Sequence, residues 1–283
     1  MAQAREIILA KTAGFCPGVI QAIARVRKLA GEGKGPVSTL GPLVHNAAVV
    51  AGLEAEGIRS VDSPEAAGGK GGVLVIRAHG VAPELEAKAR AQGLVVVDST
   101  CPLVKKVHQA IARYAAQGYA TVIVGDRDHA EVVGLRGYAG KGAQTVSGPE
   151  EAGRLPAYDK VHVVAQTTQE EEVFLKTVEA VRKKSRTVAV SDTICKPSRD
   201  RQRETVELSG RVDLMVVVGS KKSANTARLA AICRRLCPGT VFAESAADID
   251  ADAVRAARRV GVTAGASTPD SLIQEVVAAL RKI

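Results

Sequence analysis

Short runs of aliphatic and β-branched residues alternate along this chain with longer stretches whose apolar positions recur every three to four residues. The short runs predict buried strands at 7–10, 37–40, 57–61, 73–76, 95–97, 120–124, 161–165, 187–190, 214–218 and 260–263. The longer stretches predict helices at 18–29, 83–91, 101–117, 169–183 and 195–209, with others ending near 56 and 237 and a last one opened by Pro269. Strands alternating with helices predict an α/β fold built on parallel sheets, in which ligands gather beyond the C-terminal ends of the strands.

One phrase of this pattern is written three times. Val95-Val96-Val97-Asp98-Ser99-Thr100-Cys101-Pro102 is an apolar run that delivers a cysteine to the start of a helix. Thr187 to Cys195 repeats it closely, and Ile7 to Cys16-Pro17-Gly18 repeats it more loosely. The expected organisation is three related α/β modules in a pseudo-threefold arrangement around a central metal site. Module 1 spans 12–98, module 2 spans 99–191, and module 3 spans 192–283 with the N-terminal strand segment 1–11.

Each module is expected to present polar or reactive residues at three strand ends. They are Cys16, His45 and His79; Cys101, His129 and Thr167; and Cys195, Ser223 with Asn225, and Ser267. The registers agree, since Gly41 to His45 and Gly125 to His129 are the same four-residue step.

Three thiolates converging on one centre would satisfy three irons of a 4Fe–4S cluster and leave the fourth iron open to act as a Lewis acid. Zinc held by three thiolates is the rival, and unrelated buried cysteines the bland alternative. Cys233 and Cys237, four apart among aliphatic residues, read as core packing, and His108 and His162 as structural. His45, His79, Ser223, Asn225 and Ser267 are the kinds of group that hold phosphate oxygens. Glu131 is placed to act as a general acid with Thr167 as a proton relay, or else simply to stabilise a helix start.

Composition narrows the partners. The chain has 283 residues, 46% hydrophobic and 24% charged, and no apolar run long enough for a membrane span. The formal net charge is +9, yet aromatics are only 2% and the basic residues are scattered, which argues against nucleic acid. The densest basic run, Arg182-Lys183-Lys184-Ser185-Arg186, closes a predicted helix. Five cysteines and no apolar leader point to the reducing cytoplasm.

These residues resemble those of the LytB/IspH family, the 4-hydroxy-3-methylbut-2-enyl diphosphate reductases. The resemblance spans the chain: Ala13-Gly14-Phe15-Cys16, Gly41 to Asn46, Arg77-Ala78-His79-Gly80, Thr100-Cys101-Pro102, His129 to Gly134, Gln166-Thr167-Thr168, Thr193-Ile194-Cys195, Val218 to Lys221, and Gly261 to Pro269. It implies a trefoil of three domains around a 4Fe–4S cluster on Cys16, Cys101 and Cys195, with one open iron for the substrate hydroxyl. It implies a diphosphate held by His45, His79, Ser223, Asn225 and Ser267. Glu131, with Thr167 and His129, would protonate the departing hydroxyl, and a ferredoxin or flavodoxin would supply two electrons. Two segments depart from the family pattern. Ala224 stands where a serine is common, and Lys196-Pro197-Ser198 follows the third cysteine where a small or aromatic residue and a threonine are usual. The departures keep two other readings in view, an iron–sulfur sensor or binding protein without turnover and a reductase for a related diphosphate; a zinc-dependent hydrolase is a third.

Overall fold

The structure is a computed structural model that describes residues 5–33, 35–140 and 142–283. In chain order, β1 (Glu6–Leu9) leads to α1 (Pro17–Gly31), β2 (Val37–Leu40), α2 (Ala47–Ala55), β3 (Arg59–Val61), β4 (Val73–Ile76), α3 (Pro83–Ala91) and β5 (Val95–Asp98). The middle third runs α4 (Pro102–Ala116), β6 (Ala120–Val124), α5 (Ala130–Ala139), β7 (Gln144–Val146), α6 (Pro149–Gly153), β8 (Lys160–Ala165), α7 (Glu171–Arg182) and β9 (Thr187–Ser191). The last third runs α8 (Lys196–Ser209), β10 (Leu214–Val218), α9 (Ala224–Leu236), β11 (Thr240–Ala243), α10 (Ala251–Ala256), β12 (Arg259–Ala264) and α11 (Asp270–Lys282).

Three four-stranded sheets result, in the orders β3-β2-β4-β5, β7-β6-β8-β9 and β11-β10-β12-β1, and every pairing is parallel. The fold class is therefore α/β with three parallel sheets of one repeated topology. The predicted segment 1–11 supplies β1, an edge strand beside β12, while its residues 1–4 lie outside the described residues.

The chain separates into two compact units. One comprises the residues up to Pro17, His45–Val49 and Lys196–Ile283, and holds the sheet of β10 and β12. There the alternation of a strand sends β10 to both faces. Leu214, Val216 and Val218 pack with Ile273, Val276 and Leu280 of α11, while Met215 and Val217 pack with Leu229, Ala230 and Cys233 of α9. The other unit comprises Gly18–Val44 and Val50–Cys195 and holds the remaining two sheets. In it Val122 and Val124 meet Phe174 and Val178 of α7, whereas Ile123 meets Val107 and Ile111 of α4 and Leu135 of α5. Burial of such side chains contributes about 1.5–3 kcal/mol each, which explains why these apolar runs are continuous rather than alternating with polar residues.

Two strands escape the sequence reading, β7 and β11. Each is the outer edge of its sheet and short, with the polar residues Gln144 and Thr240 at its start. An edge strand with one neighbour needs no long apolar run, so its signal is weak.

Candidate active site

The three cysteines occupy one structural position. Each follows the edge strand that borders a sheet's middle strand: β1 for Cys16, β5 for Cys101 and β9 for Cys195. Each stands directly before a helix, α1, α4 or α8. All three are half-buried. Their backbone amides are held alike. Cys16 N–H donates to Ala266 O at 3.1 Å, Cys101 N–H to Ala78 O at 3.0 Å, and Cys195 N–H to Thr167 O at 2.9 Å. Each acceptor lies two residues beyond the end of a middle strand, β12, β4 or β8. A cysteine thus closes the sheet of the edge strand that precedes it, although the repeat groups it with the module after it.

The loops that receive these amides are turns of one design. Gly80 N–H donates to Arg77 O at 3.0 Å, Gln169 N–H to Gln166 O at 2.9 Å, and Thr268 N–H to Gly265 O at 3.0 Å. This register makes Thr168, not Thr167, the counterpart of His79 and Ser267, a correction of one residue to the sequence alignment of the modules. A second set of loops aligns through Gly41, Gly125 and Gly219, whose amides donate to the ends of β3, β7 and β11. Four residues on stand His45, His129 and Ser223, so the predicted step extends to the third module. Six residues on, Glu131 and Asn225 are counterparts.

Glu131 and Thr167 meet. The Thr167 backbone N–H donates to Glu131 Oε1 at 2.6 Å and its hydroxyl donates to Oε2 at 2.8 Å. Both residues are buried. A carboxyl in the first turn of a helix is ordinary, but this one turns inward to a polar partner 36 residues away in sequence. His129 caps the same helix, its Nδ1 accepting from Glu131 N–H at 3.2 Å. The His79 ring stands edge-on to His129 with centroids 5.2 Å apart. Gly80, at φ +73°, lets the His79 turn close against His108, whose Cε1 would lie 2.6 Å from an added Cβ.

In the other unit, Ser223 caps α9 by accepting from Thr226 N–H at 3.4 Å. Asn225 is buried; its Oδ1 accepts from Ser198 at 3.5 Å, and its Nδ2 has no hydrogen-bond partner among the described residues. A buried amide donor left this way is costly unless an acceptor comes to it. Ser267 donates to the His45 carbonyl at 3.4 Å. Together these groups offer hydroxyl and amide donors at the helix-start end of a parallel sheet, where anions are favoured.

The LytB protein family profile matches residues 7–281. The chain belongs to the LytB family. Proteins named 4-hydroxy-3-methylbut-2-enyl diphosphate reductase are similar over nearly their whole length. The one from Geobacter sulfurreducens is 45% identical over 96% of this chain and 95% of its own, and that from Aquifex aeolicus 39% over 98% and 96%. A solved structure of (E)-4-hydroxy-3-methylbut-2-enyl diphosphate reductase, described as the terminal enzyme of the non-mevalonate pathway, is 38% identical, covers 99% of this chain and 100% of its own, and has a TM-score of 0.69. The structure of the reductase from Plasmodium falciparum is 27% identical, covers 97% of this chain and 87% of its own, and has a TM-score of 0.91.

Around the LytB site the structure also explains residues that sequence alone treats as bystanders. Lys196, expected beside the third cysteine, turns to solvent with its side chain 83% exposed and pairs with Asp200. His108 stacks on Tyr138 at 4.0 Å, and His162 stacks on Tyr114 at 4.0 Å and bonds Ser191 at 2.8 Å. Burial pushes both imidazoles down to about 4, as structural histidines kept neutral. Cys233 and Cys237 are core residues, and burial pushes the Cys233 thiol up to about 11. The basic run after α7 is occupied locally, Arg182 by Glu179, Lys184 by Gly153 O and Arg186 by Asp159.

Sequence reading gave no role to Thr193, whose hydroxyl accepts from Ala165 N–H at 2.8 Å and donates to Ala165 O at 2.6 Å just before Cys195. It likewise gave none to Gln166, which accepts from Asp126 N–H and braces the loop leading to His129. A polar residue placed one or two positions from a site residue at a strand end is the signal that finds such braces.

Proposed function

We propose that this chain performs the two-electron reductive dehydroxylation of 4-hydroxy-3-methylbut-2-enyl diphosphate to isopentenyl and dimethylallyl diphosphate, the last step of the non-mevalonate isoprenoid pathway. The Glu131–Thr167 pair carries the reading of an enzyme over that of a binding protein. A carboxyl buried and aligned by two donors is a positioned proton donor, which binding alone does not require.

The family is one of iron–sulfur enzymes, and the donor set fits such a group: three soft thiol ligands, each at a helix start and each fixed by a backbone bond. We assign a 4Fe–4S cluster to Cys16, Cys101 and Cys195, with one iron free of protein ligands. When bound, the cluster would relay the donor's two electrons one at a time and supply a Lewis-acidic position for the substrate hydroxyl. His45, His79, Ser223, Asn225 and Ser267 bind the diphosphate, the amide of Asn225 donating to one of its oxygens. Glu131 delivers the proton that turns the leaving hydroxyl into water, and the Thr167 hydroxyl, already directed at Oε2, returns a proton to it. His129 supports this acid through its cap and adds a donor toward the substrate. The carbon–oxygen bond breaks with its electron pair leaving on the water oxygen, two electrons from the external donor pass to the carbon skeleton, and a second proton closes the new carbon–hydrogen bond.

The three sheets stand in this proposal as modules 12–98, 99–191 and 192–283 with 1–11. The positive net charge suits an acidic ferredoxin or flavodoxin as electron donor. Among the described residues no helix is long and apolar enough to cross a membrane; a reducing cytoplasm would keep the thiols available.

The test is anaerobic purification, iron and sulfide analysis, and turnover with dithionite and the hydroxylated diphosphate. The expected result is a brown protein that makes both five-carbon products and loses about 10²–10⁴-fold in kcat on Glu131→Gln with its iron content unchanged. A brown protein with no turnover would instead indicate a sensor or a different diphosphate, and a colourless zinc protein would overturn the proposal.

A further inference from the structure

The three cysteines are reached by loops of unequal length. Two residues separate Asp98 from Cys101 and three separate Ser191 from Cys195, but six separate Leu9 from Cys16. The short loops carry their own locks. Asp98 accepts from Thr100 N–H at 2.9 Å, and Thr193 bonds both backbone groups of Ala165. The long loop is locked from outside, by helix α8.

Glu204 takes three donors from it: Lys11 N–H at 2.7 Å, Thr12 N–H at 2.8 Å and the Thr12 hydroxyl at 2.6 Å. Arg201, one turn earlier and buried, donates to Gly14 O at 2.5 Å and to Pro197 O at 3.1 Å. Gly14 sits at φ +97°, and an added Cβ would lie 3.2 Å from Ile273 Cδ1, so the loop is pressed onto α11 as it turns toward Cys16. Burial works to raise the Glu204 carboxyl, but its bonds to Thr12 and Lys11 outweigh that and hold it below the usual carboxylate range. The clamp therefore acts as a charged acceptor and a charged donor, one turn apart on α8, holding two points of one loop.

We propose that Arg201 and Glu204 are positioning residues that seat Cys16 as a ligand. Because α8 begins at the residue after Cys195, the clamp fastens the cysteine on the longest of the three loops to the helix that the third cysteine opens. The clamp's importance for the cluster rests on the assignment of Cys16 to the metal site; the seating of the thiol itself does not.

The experiment reads the thiols first in the chain stripped of metal. Wild type, Glu204→Gln, Arg201→Lys and Thr12→Val are alkylated under reducing conditions, and modification of each cysteine is followed by mass spectrometry, with circular dichroism reporting the fold. The expected result is an alkylation rate of Cys16 raised about tenfold by Glu204→Gln and less by Thr12→Val, with Cys101 and Cys195 unchanged. Equal acceleration at all three, or none at Cys16, would overturn the proposal, since the first is general loosening. If Glu204→Gln does not fold, Thr12→Val, which removes one hydroxyl, decides by the same criterion. Reconstituted samples are then bleached in air. Loss of the visible iron–sulfur band about tenfold faster in Glu204→Gln supports the clamp, and wild-type bleaching contradicts its role at the cluster. A wild-type chain that takes up no cluster while Cys16 alone responds to the clamp variants would overturn the metal assignment and leave the seating of the thiol standing.

Discussion

The heads of α5 and α9 are the same structural position filled with opposite chemistry. Both follow a glycine whose amide closes an edge strand, and both are capped four residues on, by His129 in one and Ser223 in the other. Two residues further, α5 carries Glu131 and α9 carries Asn225, and both side chains are buried. Glu131 is an acceptor whose two oxygens are taken by Thr167, while Asn225 keeps a donor without a partner. In the function proposed above, one cradle would therefore serve proton delivery where it holds an acid and anion binding where it holds an amide. The backbone places the two groups alike, and a single side chain sets whether the position offers an acceptor or a donor.

The comparison breaks most visibly if the amide is made into an acid. Asn225→Asp places a carboxylate where the diphosphate is to bind, so the KM for the substrate should rise by about 100-fold or more with a much smaller change in kcat, measured in steady-state kinetics. A kcat effect alone would place Asn225 outside the diphosphate site. Thr167→Val tests the acid's side. It removes the hydroxyl bond to Oε2 but keeps the backbone bond to Oε1, and should lower kcat about 10- to 100-fold with KM little changed. The smallest expected effect concerns Ala224, the residue between the Ser223 cap and Asn225. Ala224→Ser adds a hydroxyl at the head of α9 and should lower KM by about two- to tenfold; no change would mean that this position does not face the ligand.

The clarity of the sequence differed between levels. Apolar runs located most strands and helices to within a residue or two, because a strand buried on both faces favours apolar side chains at most of its positions. The glycine-to-histidine step was legible because the same turn recurs at the same register. The cysteines stood out because each ends a strand and opens a helix, a local arrangement visible in a dozen residues. Edge strands β7 and β11 were illegible because they bury too little to require an apolar run. Arg201 and Glu204 looked like ordinary polar helix residues, since their partners at Gly14, Lys11 and Thr12 are almost 200 residues away in sequence.

The sequence by itself thus determined the α/β class, the threefold repetition and the strand ends that carry reactive groups, all properties of local periodicity and turn chemistry. Only the tertiary structure decided which sheet each cysteine closes, that Thr168 rather than Thr167 aligns with His79, that Glu131 is aligned by Thr167, that Lys196 faces solvent, and that α8 holds the Cys16 loop. The physical reason is range. Periodicity records what a residue's own element buries, whereas hydrogen bonds between strand ends are set by parallel pairing of strands far apart in sequence, which no local pattern encodes.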